Sequence, residues 1–338
     1  MDEITFIKSL ITTFMIIGVF GNVNVIVAIA RKKSLRTKNV MFILFLSIAH
    51  LVCNISELVS LARDYRFTAM SRRKCFHYNI IYSFFVLFQS SLYLSTALDI
   101  CLSIVVPLKH MLWKKSRYII AMLIFPVFFS IFCTLLSMYK LSDEISPYCI
   151  FVLAPDPWVY RRISGLNLIC NMTTLVIIIV SVVKVMRKSE DMRGSRHINP
   201  SRAGSSKEEK HKVFRATFFM IVIYMGSWVL TSIVFEIVIS VNDEKDTVEL
   251  LQYVVIIVLP NYCQIYFVTY FRSPRLRNSF QEQLHWMTCR LLFPKVFEKP
   301  TSRVIQALNS NNNNDSKKLP EQETSMKFSE KCQNDSGL

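Results

Sequence analysis

Long apolar runs separated by short polar segments organise this chain. The apolar positions follow neither the strict alternation of a half-buried strand nor the one-sided spacing of a soluble amphipathic helix. A helix needs roughly 20 apolar residues to cross about 30 Å of hydrocarbon. Seven runs meet that length, at about 9–30, 39–62, 76–98, 117–139, 162–184, 213–239 and 248–271. The pattern predicts an all-α membrane protein built as a seven-transmembrane helix bundle. The first run is long, lacks a small-residue cleavage site and ends in Arg31-Lys32-Lys33, so it is expected to stay as a span rather than leave as a signal peptide.

Composition agrees with that pattern. Of 338 residues, 52% are hydrophobic and 19% charged, with 25 Phe and a mean hydropathy of +0.34, which argues against a water-soluble globular enzyme. Charge then sets orientation. With the N-terminus outside, the inner segments hold 30 of the 40 Lys and Arg, as expected for cytoplasmic loops. The loop 63–74 runs against this bias, carrying Arg63, Arg66, Arg72, Arg73 and Lys74 on the outer side. The net charge of +16 therefore serves membrane anchoring and not nucleic-acid binding, because it flanks spans instead of forming one basic face.

The expected organisation is an outer N-terminus at 1–8, the bundle with its loops at 9–271, an amphipathic juxtamembrane helix at 272–292 and a disordered cytoplasmic tail at 293–338. Within the bundle, 189–212 is Gly/Ser/Lys-rich and is expected to be a disordered inner loop. Arg202 stands three residues before Ser205 there, a pattern a basophilic kinase can use; a solvated linker gives the same pattern. After the seventh run, Leu276, Phe280 and Leu284 recur every four residues before Cys289. That stripe predicts an interfacial helix, with Cys289 either palmitoylated or simply buried.

An ionisable group inside a span is expensive, so each is a functional candidate. These are His50, Glu57, Asp99 and Glu236. Cys75 and Asp99 are 24 residues apart, about 36 Å along a helix, and so lie at opposite membrane faces. Cys149 falls in the second outer loop, where disulfides persist, so Cys75–Cys149 is the expected pair, two free thiols being the alternative. His50 serves either as a polar hub bonded to Asn22 or as a neutral His satisfied by its neighbours. Tyr78, Tyr82, Phe85 and Gln89 recur at three or four residues, placing them on one helical face. Tyr82 and Gln89 are ligand-pocket candidates there, with core packing as the plainer fate. Glu57 and Glu236 could hold a cationic ligand; alternatively Glu57 pairs with Arg63. No metal site is expected, since His50 is the only His in the interior of a span.

Cys75, then Asp99-Ile100-Cys101 followed by Pro107-Leu108, resembles the third helix and second inner loop of rhodopsin-like G-protein-coupled receptors. Gly21-Asn22, Leu46-Ser47-Ile48-Ala49 and Phe271-Arg272-Ser273 also resemble that family over residues 7 to about 290. Within it, the Leu35-Arg36-Thr37 loop, the short N-terminus and the aromatic-Arg-Ser ending are most similar to the divergent nematode chemosensory receptors of the Srsx type. The resemblance implies a receptor whose ligand enters the outer half of the bundle and which signals through a heterotrimeric G protein. Asp99, Ile100, Pro107 and Leu108 would then lie at the coupling surface, and arrestin and kinases would act on inner loop three and the tail. It implies no enzyme activity and no cofactor. The expected location is the plasma membrane, with a sensory cilium as a narrower expectation.

Several positions depart from that family. His50 stands where the family carries a cation-binding Asp, and Ile100 where an Arg pairs with the preceding Asp. Span six has Trp228 but no Pro in 213–239, and the seventh-helix Asn-Pro-x-x-Tyr aligns with Ile265-Tyr266-Phe267-Val268-Thr269, with Pro260 earlier. No Lys occurs in 248–271, so a retinal Schiff base is excluded, and Tyr82 at the usual amine-binding Asp position argues against a conventional monoamine. A receptor fold with altered or lost coupling is therefore the alternative. A transporter or channel subunit ranks lower, for want of repeats and of a file of ionisable groups at mid-depth.

Overall fold

The structure is a computed structural model that describes residues 3–64, 69–146, 149, 154–194, 218–219, 221–228, 230–231, 234 and 244–292. The chain is almost wholly helical. Helix α1 (Glu3–Arg31) is followed by a 3-10 turn at Lys33–Leu35 and by α2 (Lys38–Asp64). Then come strand β1 (Met70–Ser71), α3 (Arg72–Val105), α4 (Pro107–Leu112) and α5 (Lys115–Ser137). Strand β2 (Ile145–Ser146), α6 (Pro157–Gly194), α7 (Glu244–Arg272) and α8 (Pro274–Leu292) complete the order. Residues 221–228, between α6 and α7, are also helical.

Among the described residues, five helices are long and apolar enough to cross a membrane: Thr5–Arg31, Lys38–Arg63, Arg72–Val105, Lys115–Ser137 and Pro157–Val185. Their outward positions are apolar, as at Phe128 (68% exposed) and Ile169 (65% exposed), which suits contact with hydrocarbon. Many hydroxyls inside these helices bond their own helix. Thr12, Ser47, Thr96, Ser130 and Thr174 each donate to the carbonyl four residues back, so these donors are met without a partner from outside the helix.

Helix α3 is the hub, packing against α2, α5 and α6, while α7 closes on α1 and α2. An outer core cluster joins Ile7, Ile11 and Met15 of α1, Cys53 of α2, Tyr82 and Val86 of α3, and Leu259 and Tyr262 of α7. A second joins Leu87 to Cys133, Val159 and Ile163 across α3, α5 and α6. Two glycines let α1 come close to its neighbours: a Cβ on Gly21 would lie 2.7 Å from Tyr266 Cβ of α7, and one on Gly18 would lie 2.6 Å from the Asn54 amide of α2. Helix termini are set locally. Ser71 accepts from the Lys74 amide at 3.4 Å to start α3, Asp156 accepts from the Trp158 amide at 2.9 Å to start α6, and Pro107 opens α4.

Three features correct the sequence expectation. The all-α pattern omits β1 and β2, which pair antiparallel with Met70 opposite Ser146 and Ser71 opposite Ile145. The polar segment expected to begin a disordered loop at 189 continues α6 to Gly194, because Arg187, Lys188 and Glu190 are good helix formers even in water; residues 195–212 lie outside the described residues. Helix α4 was expected only as part of an inner loop. The chain divides into two units, Met1–Asn278 and Ser279–Leu338. All packing above belongs to the first; of the second, α8 to Leu292 is described, and the tail 293–338 is outside the described residues.

Candidate functional site

The candidate outer site is assembled by α2, α3 and α7. Residues three and four apart in α3 share a face, which brings Tyr82, Val86 and Gln89 inward together; Tyr82 is 9% and Gln89 0% exposed. Tyr78, from the same repeat, does not join them: it is 66% exposed and its ring lies 5.1 Å below the Arg63 guanidinium. The Tyr82 and Tyr262 hydroxyls are 3.2 Å apart. The Glu57 carboxylate lies within hydrogen-bonding range of Tyr82 and close to Cys53 and Tyr262. Tyr262 donating to Tyr82, and Tyr82 to Glu57, is the proton arrangement that satisfies all three groups.

The suggested ion pair of Glu57 with Arg63 is not formed. Positions six apart on a helix are about 240° apart in azimuth, and Arg63 bonds Ser60 and Asn79 instead. Gln89 sits beside Tyr262, and neither of its amide atoms makes a hydrogen bond of normal geometry among the described residues. Glu236 lies outside the described residues, as does the side chain of Cys289.

Beneath this layer the polar groups knit helices together. Asn22 donates to the Gly18 carbonyl and to the Tyr262 carbonyl, both at 2.8 Å, and so ties α1 to α7. His50 is fully buried between Tyr93 and Tyr262, with ring centroids 6.3 and 5.6 Å away. It is not bonded to Asn22: neither ring nitrogen has a partner among the described residues, nor has Asn22 Oδ1. Among the described residues, neither the bond to Asn22 nor another hydrogen-bond partner for the His50 ring is present.

The sequence reading passed over several members of this layer. Gln264 donates to the Tyr93 hydroxyl at 3.1 Å, Asn261 donates to Ser227, and Tyr93 stacks on Tyr224 with centroids 3.8 Å apart. Ser90 lies 3.0 Å from Asn171 Oδ1, joining α3 to α6. The available signal was polar residues recurring at helical spacing inside apolar runs, as in Gln89-Ser90-Tyr93 and Asn261-Gln264.

The inner end of α3 carries a different arrangement. Asp99, 0% exposed, accepts at Oδ1 from His110 Nε2 at 2.8 Å and from the Tyr118 hydroxyl at 2.7 Å. One oxygen thus holds α4 and α5 to α3, while Oδ2 has no partner among the described residues. Lys38 donates to the His110 carbonyl, and its ammonium lies 4.9 Å from the Tyr118 ring centroid. Lys115 donates to the Arg36 carbonyl, so the α1–α2 connection and the start of α5 are bound together. Ile100 is 1% exposed and packs as an apolar residue. Pro107 starts α4, and Leu108, Met111 and Leu112 at 77%, 67% and 83% exposure share one outward face of it.

At the outer end, Cys75 and Cys149 are joined as a disulfide with Cα atoms 5.4 Å apart. Among the described residues no group of three or more His, Cys, Asp and Glu is placed to hold a metal. A family described as serpentine type 7TM GPCR chemoreceptor Srsx matches residues 15–284. No protein with a curated description matches the chain.

Proposed function

Since the chain belongs to the Srsx family of serpentine seven-transmembrane chemoreceptors, we propose that it binds a small molecule or peptide in the outer half of its bundle and signals through a heterotrimeric G protein. A multi-pass membrane protein of a chemoreceptor family belongs to a non-enzyme class. The observation that carries the proposal is the continuity of α3. One helix bears Tyr82 and Gln89 toward its outer end and Asp99, with its clamp to α4, at its inner end. These are 17 residues apart, about 25 Å along the axis.

A ligand touching Tyr82, Gln89 and Glu57 bears on α2, α3 and α7 together. It shifts the population of arrangements only to the extent that it binds one of them better. The inner readout is the exposed Leu108 face of α4, apolar and ringed by Lys109, Lys114 and Lys115. The same reading has seven spans, the N-terminus outside, residues 1–8 extracellular, the tail cytoplasmic, and the plasma membrane as location. An N-terminal tag stained on intact cells is the expected result; staining only after permeabilisation overturns the orientation.

The functional test is basal nucleotide exchange on G proteins in cells bearing wild type, Leu108→Asp or Ile100→Arg at matched surface levels. Exchange above background that falls in Leu108→Asp supports the proposal. Silence from wild type and from Ile100→Arg supports the second reading, a receptor fold that no longer couples. That reading has its own observation: Ile100 is buried and apolar where the family's Arg would stand.

A further inference from the structure

Arg63, near the end of α2, presents a guanidinium that the fold positions closely and that has no anion beside it among the described residues. Its Nη2 donates to Ser60 Oγ at 2.9 Å and to Asn79 Oδ1 at 3.4 Å. Asn79 is 4% exposed, and its amide nitrogen is already used, donating to the Cys75 carbonyl at 3.0 Å with Cys149 Sγ 3.3 Å away. Asn79 Oδ1 is thereby turned toward Arg63, and the disulfide, α2 and α3 together fix the guanidinium. The Tyr78 ring covers its face at 5.1 Å, so its remaining N–H groups are presented at its edges. Those on Nε and Nη1 are shielded from solvent and have no acceptor among the described residues.

Four carboxylates on this side of the bundle have described side chains, and each acts elsewhere. Glu144 is 3.3 Å from Arg72, Asp143 is 3.2 Å from Arg73, Asp156 caps α6, and Glu57 reaches Tyr82. Cations held out of water are normally paired, and a planar guanidinium edge matches a carboxylate. Resting on the ligand-binding reading above, we propose that Arg63 anchors a carboxylate group of the receptor's ligand at the outer end of the α2–α3 seam. Glu57 lies six residues deeper, about 9 Å along the helix. Glu57 also lies on a different face of α2, about 240° around the axis, so the Arg63 anchor stands apart from the Tyr82–Glu57–Tyr262 cluster.

The test uses the purified full-length protein in maltoside micelles, which contain no phosphate, and reads the unfolding temperature. Sodium hexanoate is compared with hexanamide and with sodium chloride at equal ionic strength. A dose-dependent rise with hexanoate alone is expected, and Arg63→Gln should raise the half-maximal concentration about tenfold or more, the size of a lost charged hydrogen-bonded contact. Arg63→Lys, which keeps the charge but not the planar edge, should fall between. Equal stabilisation by hexanamide, or a hexanoate effect that survives in Arg63→Gln, overturns the proposal. So does stabilisation by added phosphatidylcholine with none by hexanoate, which would assign Arg63 to a lipid headgroup. If the variants fail to fold, the discrimination between hexanoate and hexanamide in the wild type still decides the matter. Micelles contain no G protein, so lost coupling does not move this readout; failure here beside normal basal exchange removes the carboxylate site and leaves the receptor reading.

Discussion

His110 and Asp99 are joined through a single oxygen: the imidazole Nε2 donates to Asp99 Oδ1 at 2.8 Å, and Tyr118 donates to that same atom at 2.7 Å. A carboxylate buried at the inner end of α3 is thus stabilised by donors from α4 and α5. Where the related receptors place an Arg beside this Asp, Ile100 is apolar and buried and can offer nothing to Asp99. Asp99 instead finds its partners in α4 and α5, so the bond to His110 ties the helix that carries Leu108 to α3.

Tyr118→Phe isolates one arm of this clamp. The substitution keeps the ring that stacks on Trp113 at 5.4 Å and removes only the hydroxyl. A hydrogen bond to a charged group contributes about 1.5–3 kcal/mol, so the unfolding midpoint in denaturant should fall by that amount. Asp99→Asn in the same background should cost less than in the wild type, because the two changes share a partner. A double-mutant cycle that is additive would show that Tyr118 and Asp99 act independently and would sink the clamp.

The two glycines of α1 predict unequal costs. Gly21→Ala drives a Cβ against Tyr266 Cβ at 2.7 Å, an atom fixed to the α7 backbone, so the helices must part; overpacking of this kind costs about 1–3 kcal/mol. Gly18→Ala meets the end of the Asn54 side chain at 2.6 Å, and that amide has no hydrogen bond to lose, so it can rotate away. Gly165→Ala meets nothing within 4 Å and should be neutral or stabilising by up to about 1 kcal/mol through helix propensity. Unfolding midpoints should therefore rank Gly21→Ala lowest and Gly165→Ala highest; any other order argues against the close α1–α7 contact.

Buried polar side chains give a second contrast. Gln89 is 0% exposed, and both its amide atoms lack a partner among the described residues, so Gln89→Leu removes two unmet groups at nearly constant volume and should stabilise by about 1–3 kcal/mol. Asn22→Leu does the reverse, because it breaks the bonds to the Gly18 and Tyr262 carbonyls and frees a buried acceptor on α7. If Gln89→Leu proves destabilising in a midpoint measurement, Gln89 has a partner in the folded protein that its observed position does not reveal. If it stabilises, the amide is held at a cost, as side chains reserved for a ligand commonly are.

Span-length apolar runs made the helices legible, because 20 apolar residues have one stable arrangement in hydrocarbon. Features smaller than that window were not legible. Helix α4 has six residues and β1 and β2 two each, too few for any period to register. The partner of Asp99 lay 11 residues along the chain, in a loop that hydropathy treats as featureless. Residues 189–194 looked like a loop because they are polar, yet polarity separates lipid from water and not helix from coil. Glu57 and Arg63 were paired by charge and proximity in sequence, and helical geometry turned them to different faces. In the candidate site, Tyr82 and Gln89 could be found from spacing within one helix. Tyr262, Gln264 and Tyr93 required knowledge of which helices face each other, which a single run of residues does not contain.

The disulfide makes the last prediction. Cys75 and Cys149 close a loop of 74 residues, for which chain entropy gives about 4 kcal/mol of stabilisation. The effect should exceed the entropic part, because Phe76 and Ala154 pack around the bridge and Asn79 loses its sulfur neighbour at 3.3 Å, loosening the hold on Arg63. Reductant should therefore lower the unfolding midpoint of the wild type, and the Cys75→Ser, Cys149→Ser double variant should start at the lowered value and show no response to reductant. Five other cysteines among the described residues are free, so a double variant that still responds would show that another pair bridges the chain. A wild type indifferent to reductant, at a concentration that reduces the bridge by mass spectrometry, would mean that β1, β2 and the Arg72 and Arg73 ion pairs hold the outer loops by themselves.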